Sequence, residues 1–446
     1  MYQRAAGTRA NPPWVNTGRQ SRKRSSGTGL RGVSLPVKLA GFYFFLIFVI
    51  WPFVVYKYPG GGAILRFPLL VGMGMMGLAV LRGVAMKRIR LAAQLFFIFA
   101  FFFVISSVYG PRPPGLAEGV TQLFRSVGLG AVLVMTIRTV TDLHFFLRVF
   151  VWAGVIDAIY GLLFMIPGLS VVGFKLFGMG FPMGRDLIAF RMNGIQSDPT
   201  YFGLFVMPAF LISLNEVLRK RKESGWLSLS ITALLFLSII LSFSRTTWAG
   251  TAAGILVLAG LRGHFIRIGF IFVALVVFLQ IAAPDDFLAA AISQNSARTS
   301  LVLENQADSR TWIWKAYLEL AMTTPWGYGM GSIEELRQFA TWSMERSGST
   351  ARPHNIYLIL WVENGLQTLL PFLSLVGLGM LRAWKMRDFG DPTTQMEYGT
   401  LSLALISSMT VGLFALGGMI QLLSIVVAIG LATWYLKVDR KLVQVG

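Results

Sequence analysis

Long stretches of this chain are apolar on every side, and short polar or basic segments separate them. The run AAQLFFIFAFFFVISSVY at residues 92–109 has neither the 3.6-residue stripe of a helix half in water nor the alternation of a half-exposed strand. A helix needs about 20 such residues to cross a hydrocarbon core of about 30 Å. Twelve runs fit that length, at about 38–56, 62–81, 91–109, 119–137, 148–167, 199–217, 226–244, 246–261, 267–283, 356–380, 398–414 and 416–436. The pattern predicts an all-α integral membrane protein with about twelve transmembrane helices. A transmembrane β-barrel is excluded, because its strands would show about ten residues of alternating polarity.

Composition sharpens this picture. Of 446 residues, 55% are hydrophobic and 13% charged, which excludes a soluble enzyme built around one buried core. The net charge of +20 would point to nucleic acid in a soluble protein; in a membrane protein Lys and Arg first set orientation, and no nucleic-acid partner is expected. Residues 1–37 carry Arg4, Arg9, Arg19, Arg22, Lys23, Arg24 and Arg31 among Ser, Gly and Pro, and read as a basic, disordered cytoplasmic tail rather than a cleaved signal peptide. With that tail inside, alternation places Arg82, Lys87, Arg88 and Arg90 in one cytoplasmic loop, Arg219 to Lys222 in another, and Arg382, Lys385 and Arg387 in a third. Lys437, Arg440 and Lys441 then fall in a cytoplasmic tail at 437–446, so both termini are inside. The chain divides into spans 1–9 at 38–283, a large external loop at 284–355, and spans 10–12 at 356–436. With no cysteine, disulfides and thiolate chemistry drop out.

Long loops carry function more often than short ones, and both long connections, between spans 5 and 6 and between spans 9 and 10, are expected outside. His144 and His264 read as solvated residues of short cytoplasmic loops. His354 stands at the end of the large outer loop, in ARPHNIYLILWVENGL, with Asn355 beside it and Glu363 two turns further along. A neutral imidazole there could take a proton from a sugar hydroxyl; the competing reading is an interfacial residue at the start of the next helix. Arg245 lies at the tight outer junction LSFSRTTWAG, Arg310 in DSRTWIWKAYLELAMTTPWGYGMGS with Trp314, and Arg191 in FRMNGIQSDPTYFG. Guanidinium groups grip phosphate through paired hydrogen bonds, so these arginines suit a pyrophosphate; lipid headgroups are the alternative ligand.

Asp157, inside span 5, is expected to pair with Arg125 of span 4. Asp285 and Asp286 form an acidic pair without histidines nearby and make a poor transition-metal site. The first external loop, KYPGGGA, has no acidic residue, which argues against a metal-dependent membrane glycosyltransferase with its catalytic acid there. GMGFPMGR lacks both a preceding strand and a Walker lysine, so it is not a nucleotide site.

On these residues the chain resembles the O-antigen ligase and polymerase superfamily, membrane enzymes that transfer glycans from undecaprenyl pyrophosphate outside the cytoplasmic membrane. His354-Asn355 followed by Gly365-Leu366-Gln367-Thr368 is similar to the histidine signature of ligases. Ser309 to Ser332 looks like the family's Arg, Trp and Pro-x-Gly-x-Gly loop, Ser244-Arg245 like its Ser-Arg junction, and Ser197-Asp198-Pro199 loosely like its Gly to Pro-Asn element, with Thr200 where Asn is common. The resemblance covers about residues 185–380 by motif.

It implies a metal-independent, inverting transfer without a cofactor, in a multi-pass protein of the bacterial inner membrane. His354 would deprotonate or orient the acceptor hydroxyl, and Arg245 and Arg310 would hold the pyrophosphate leaving group with help from Arg191. Asn355, Trp314 and Glu363 are further substrate-binding candidates. The implied partners are an undecaprenyl-pyrophosphate-linked oligosaccharide, a glycan acceptor, membrane lipids, and chain-length regulator and export proteins. Two reactions stay open: a polymerase extends the next lipid-linked repeat unit, as in exopolysaccharide synthesis, and a ligase moves the finished glycan to lipid A core. The polymerase is the favoured expectation. A flippase or other transporter is disfavoured, because the polar residues gather at one face instead of the midplane.

Overall fold

The computed structural model of the chain describes residues 32–50, 86–111, 113–165, 185–186, 191–192, 194–196, 198–219, 225–263, 313–339, 353–389, 395–413 and 420–443, with residues 74 and 269. Within these the regular elements are helices apart from one short antiparallel pairing, Arg185–Asp186 (β1) with Arg191–Met192 (β2). The helices are α1 Leu35–Phe45, continued by a π turn at Leu46–Ile50; α2 Met86–Ile105; α3 Leu116–Thr136, with a π turn at Phe124–Gly128; and α4 Val140–Met165. Then follow α5 Pro199–Arg219, α6 Trp226–Leu241, α7 Arg245–Arg262, α8 at 313–323, α9 Ile333–Phe339, α10 Ile356–Asn364, α11 Leu366–Phe389, α12 Gln395–Gly412 and α13 Ile420–Val443.

Among the described residues, four helices are long and apolar enough to cross a membrane: α3, the Val140–Leu163 part of α4, α5, and the Leu366–Met386 part of α11. Shorter apolar helices lie at Leu35–Ile50, Ile89–Ile105, Trp226–Leu241 and Ile420–Leu436. The expected spans at 62–81 and 267–283 lie outside the described residues, apart from residues 74 and 269. The described parts of the other expected runs are largely helical, with two differences that matter. α4 begins at Val140, so His144 is a helical residue and not part of a loop. The expected span at 356–380 is broken at Gly365 (φ 80°), which separates the nine-residue α10 from α11.

α5 is the central helix. Phe202, Leu204 to Met207, Ala209 and Leu211 are wholly buried, and Phe205 joins Phe44, Phe48 and Phe150 in a cluster of rings 4.6–6.1 Å apart. Small residues let neighbouring helices approach closely, as expected where the surroundings supply no hydrophobic drive. Gly250 and Gly254 of α7, one turn apart, lie against Ser408 of α12 and Leu211 of α5, and Gly130 of α3 lies against the Ser424 carbonyl of α13. Leu91, Phe97, Phe101, Trp152 and Ile159 point outward, an apolar surface that suits lipid contact.

The two ends of the bundle differ. At one end the Ser34 N–H donates to Asp142, Arg219 pairs with Glu397 at 3.6 Å, and Arg262 interacts electrostatically with both. The other end is covered by a small second core, in which Ile313, Tyr317 and Ala321 of α8 pack with Ile333 and Leu336 of α9 and Val362 of α10. α10 lies across helix ends there: Tyr357 donates to the Thr410 carbonyl near the end of α12 at 3.1 Å, and Asn364 accepts from Ser106, just beyond α2.

Candidate functional site

The start of α10 is set by Asn355. Its side-chain oxygen accepts from the Tyr357 and Leu358 backbone N–H groups at 3.0 and 3.3 Å, an N-cap that satisfies donors the helix leaves orphaned. His354 precedes the cap with φ 47°, a left-handed conformation that costs a non-glycine residue about 1–3 kcal/mol. One residue earlier, the Pro353 carbonyl accepts the Trp314 indole N–H of α8 at 2.7 Å. The backbone is therefore pinned on both sides of His354, and its side chain is exposed while Pro353 and Asn355 are buried.

The far end of α10 is closed by the loop 324–332. Tyr328 and Gly329 donate their N–H groups to the carbonyls of Val362 and Glu363 at 2.7 and 2.9 Å, and Leu366 donates to Pro325 at 2.9 Å. Gly327, Gly329 and Gly331 all have φ between 83° and 96°. A Cβ on Gly327 would sit 2.5 Å from the Gly365 nitrogen, and one on Gly329 would collide with the Tyr109 carbonyl. The Pro-x-Gly-x-Gly-x-Gly spacing is thus the sequence of a backbone clamp around the C-terminus of α10. The Glu363 side chain accepts from the N–H groups of Gly331, at 3.2 Å, and Ile333. Burial pushes this carboxyl up to about 7, against those two hydrogen bonds. Tyr109, Ser106 and Gln367 complete this clamp, and of the three only Gln367, within Gly365-Leu366-Gln367-Thr368, belongs to a recognisable sequence motif. Tyr109 and Gln367 donate to the Trp326 carbonyl at 3.0 and 2.7 Å, and Met330 donates to that of Ser106 at 2.8 Å.

Arg245 opens α7 directly after its N-cap, Ser244, whose hydroxyl accepts from the Thr247 N–H and hydroxyl. Phe243, before that cap, has φ 46°, so the junction repeats the geometry at His354. Arg245 is exposed, and among the described residues no ion-pair partner is found for it. The start of α7 adjoins the end of α12, since a Cβ on Gly412 would lie 3.9 Å from the Thr246 carbonyl, and Tyr357 bonds that same end at Thr410. His354 and Arg245 therefore share one end of the bundle, on elements joined through α12. Arg191 stands in β2 beside Met192, which packs against Gly161, while Asp198 caps α5 by accepting from Thr200 and Tyr201 at 2.7 and 3.1 Å. Arg310, Asp285, Asp286, His264 and the run at 178–184 lie outside the described residues.

The expected Asp157–Arg125 ion pair is replaced by other contacts. The buried Asp157 carboxylate accepts from the Ile195 N–H at 2.6 Å and the Gln196 amide at 3.4 Å, and Gln196 also reaches the Phe48 carbonyl at 3.0 Å. Tight packing at Gly194 brings this segment down onto α4, so backbone donors arrive where an arginine was expected. Among the described residues, no group of three or more His, Asp and Glu side chains is placed to hold a metal ion.

This arrangement sits in a segment of identifiable class. Residues 230–373 match the family model described as O-Antigen ligase, which supports an O-antigen ligase-like superfamily assignment for this part of the chain. Members of that family are membrane glycosyltransferase-like enzymes, and the several apolar helices of this chain fit a multi-pass membrane protein. No curated protein matches the chain.

Proposed function

We propose that the chain is a polysaccharide polymerase of the bacterial inner membrane. It transfers undecaprenyl-pyrophosphate-linked glycan onto the next lipid-linked repeat unit at the outer face. The observation that carries this reading is the presentation of His354: an exposed imidazole on a backbone held by Trp314 and Asn355, at the same end of the bundle as Arg245. A side chain set in place before substrate arrives spares the ordering cost at the moment of reaction.

In the proposed step the imidazole of His354 removes the proton of an acceptor hydroxyl, and that oxygen attacks the anomeric carbon of the donor sugar. The bond from that carbon to the pyrophosphate oxygen breaks with inversion. The pyrophosphate keeps the electron pair, and Arg245 and Arg310, assisted by Arg191, stabilise the charge it gains. No nucleotide enters, since the phosphate–glycan bond supplies the energy, and the arginines take the charge-stabilising part that a metal ion would otherwise play. Asn355, Trp314 and Glu363 act through position, holding the histidine and the clamp, and a contact of Trp314 with the sugar is compatible with its half-buried ring.

The alternative reaction, ligation of a finished glycan to lipid A core, is favoured by the description of the matching family itself. The two are separated by deleting the protein and analysing lipopolysaccharide banding together with secreted polysaccharide. Loss of long secreted polymer, or capping of the core by a single repeat unit, supports the polymerase. Long polymer stranded on the carrier with a bare core supports the ligase, and no change in either would support transport.

A further inference from the structure

A polar cavity of about 290 Å³ opens at the opposite end of the bundle from His354, between α4, α5, α6 and α12. Pockets that hold small ligands start near this size, at ~300 Å³. Arg148, Arg219, Glu216 and Glu397 line it, and Arg262 stands behind, close enough to feel the charges of Glu397 and Arg219. Among the described residues, three arginines against two glutamates leave one positive charge in excess.

Two buried polar atoms on its wall have no hydrogen-bond partner among the described residues: the Asn215 side-chain oxygen and the Tyr398 hydroxyl, on residues 7% and 5% exposed. A third such atom among the described residues, Nη2 of Arg262, is buried within electrostatic reach of Glu397 and Arg219. Orphaned groups in a polar cavity are costly unless something fills it, and two of these three are donors. One turn from Arg148 along α4 the lining becomes apolar at Val151 and Trp152, and Trp152 is half exposed on the outer surface of the bundle. An acyl chain leaving the cavity would meet that ring.

We infer that this cavity binds the headgroup of an anionic phospholipid, with the phosphodiester on Arg148 and Arg219 and a fatty-acyl chain passing Trp152. A single phosphodiester carries the one negative charge the cavity needs, and basic pockets between transmembrane helices are recognised sites for such headgroups. The site is separate from the proposed glycan transfer and does not depend on it.

The test is native mass spectrometry of the purified full chain titrated with phosphatidylglycerol, alongside thermal unfolding in detergent with the same lipid or with inorganic phosphate. The wild type should retain the lipid and gain thermal stability from it. Arg148→Gln, on an exposed position that leaves the Arg219–Glu397 pair intact, should bind about tenfold more weakly, the effect of losing one charge-assisted hydrogen bond. Trp152→Ala should weaken the lipid and leave any response to phosphate unchanged. Equal binding by Arg148→Gln would overturn the site, and equal stabilisation by inorganic phosphate would overturn the lipid assignment. Absence of bound lipid in the wild type would reduce the cavity to a water-filled one.

Discussion

Trp314 donates its indole N–H to the Pro353 carbonyl at 2.7 Å, so a helix 39 residues upstream fixes the backbone that presents His354. The bond joins the middle of the segment expected to form the large outer loop to its C-terminal end. Trp314→Phe keeps the ring and loses only the donor. We expect it to insert normally and to lower glycan transfer about tenfold, roughly one hydrogen bond's worth of positioning. Initial rates with a lipid-linked donor would check this, and an unchanged rate would mean that His354 needs no such support.

His354→Asn separates chemistry from fold. Asparagine tolerates the left-handed backbone that His354 adopts, so the start of α10 should survive, whereas an amide cannot take the acceptor proton. The expected outcome is a melting temperature within a few degrees of wild type and no polymer. Product from a well-folded His354→Asn protein would remove histidine from the mechanism.

The glycine clamp predicts a loss of stability. Gly329→Ala would force a left-handed alanine and a collision with the Tyr109 carbonyl, at a cost of about 1–3 kcal/mol for the backbone alone. The melting temperature in detergent should fall. Gly225→Ala, where a Cβ meets nothing and φ is −59°, should leave it unchanged.

Glu363 gives a pH dependence of definite sign. Its carboxyl is raised from 4.5 to about 7, so the folded clamp binds a proton more tightly than the unfolded chain does. The contribution of Glu363 is then fully present below about 4.5, and is lost as pH rises through about 7. Melting curves between these values should show stability declining with pH in the wild type. Glu363→Gln should flatten that slope, and an unaltered slope would assign it to other groups.

Much of this was legible in the sequence for a simple reason: a helix crossing hydrocarbon must be apolar over a fixed length, and runs such as 199–217 satisfy that on every face. The break at Gly365 was not legible. One glycine hardly lowers the hydropathy of residues 356–380, and the carbonyls it exposes are satisfied by Tyr328 and Gly329, which only the fold brings near. The partners of Asp157 are illegible in the sequence for a related reason. An acid in a span suggests a charged partner, while the structure supplies the N–H of Ile195 and the amide of Gln196. At the candidate site, the pattern of His354, Arg245 and the glycines was visible as spacing. Their shared position at one end depends on α12, whose contacts with Tyr357 and Thr246 leave no local signature.

The central claim, glycan transfer from a lipid-linked pyrophosphate onto a second lipid-linked unit, is tested most directly by reconstitution. The purified full chain would be placed in vesicles with undecaprenyl-pyrophosphate-linked repeat units as both donor and acceptor, in the presence of a metal chelator and without nucleotide. The account predicts a ladder of longer lipid-linked glycans with release of undecaprenyl pyrophosphate, absent with His354→Asn. Donor that remains unextended, or that is consumed only when lipid A core is supplied, would contradict it.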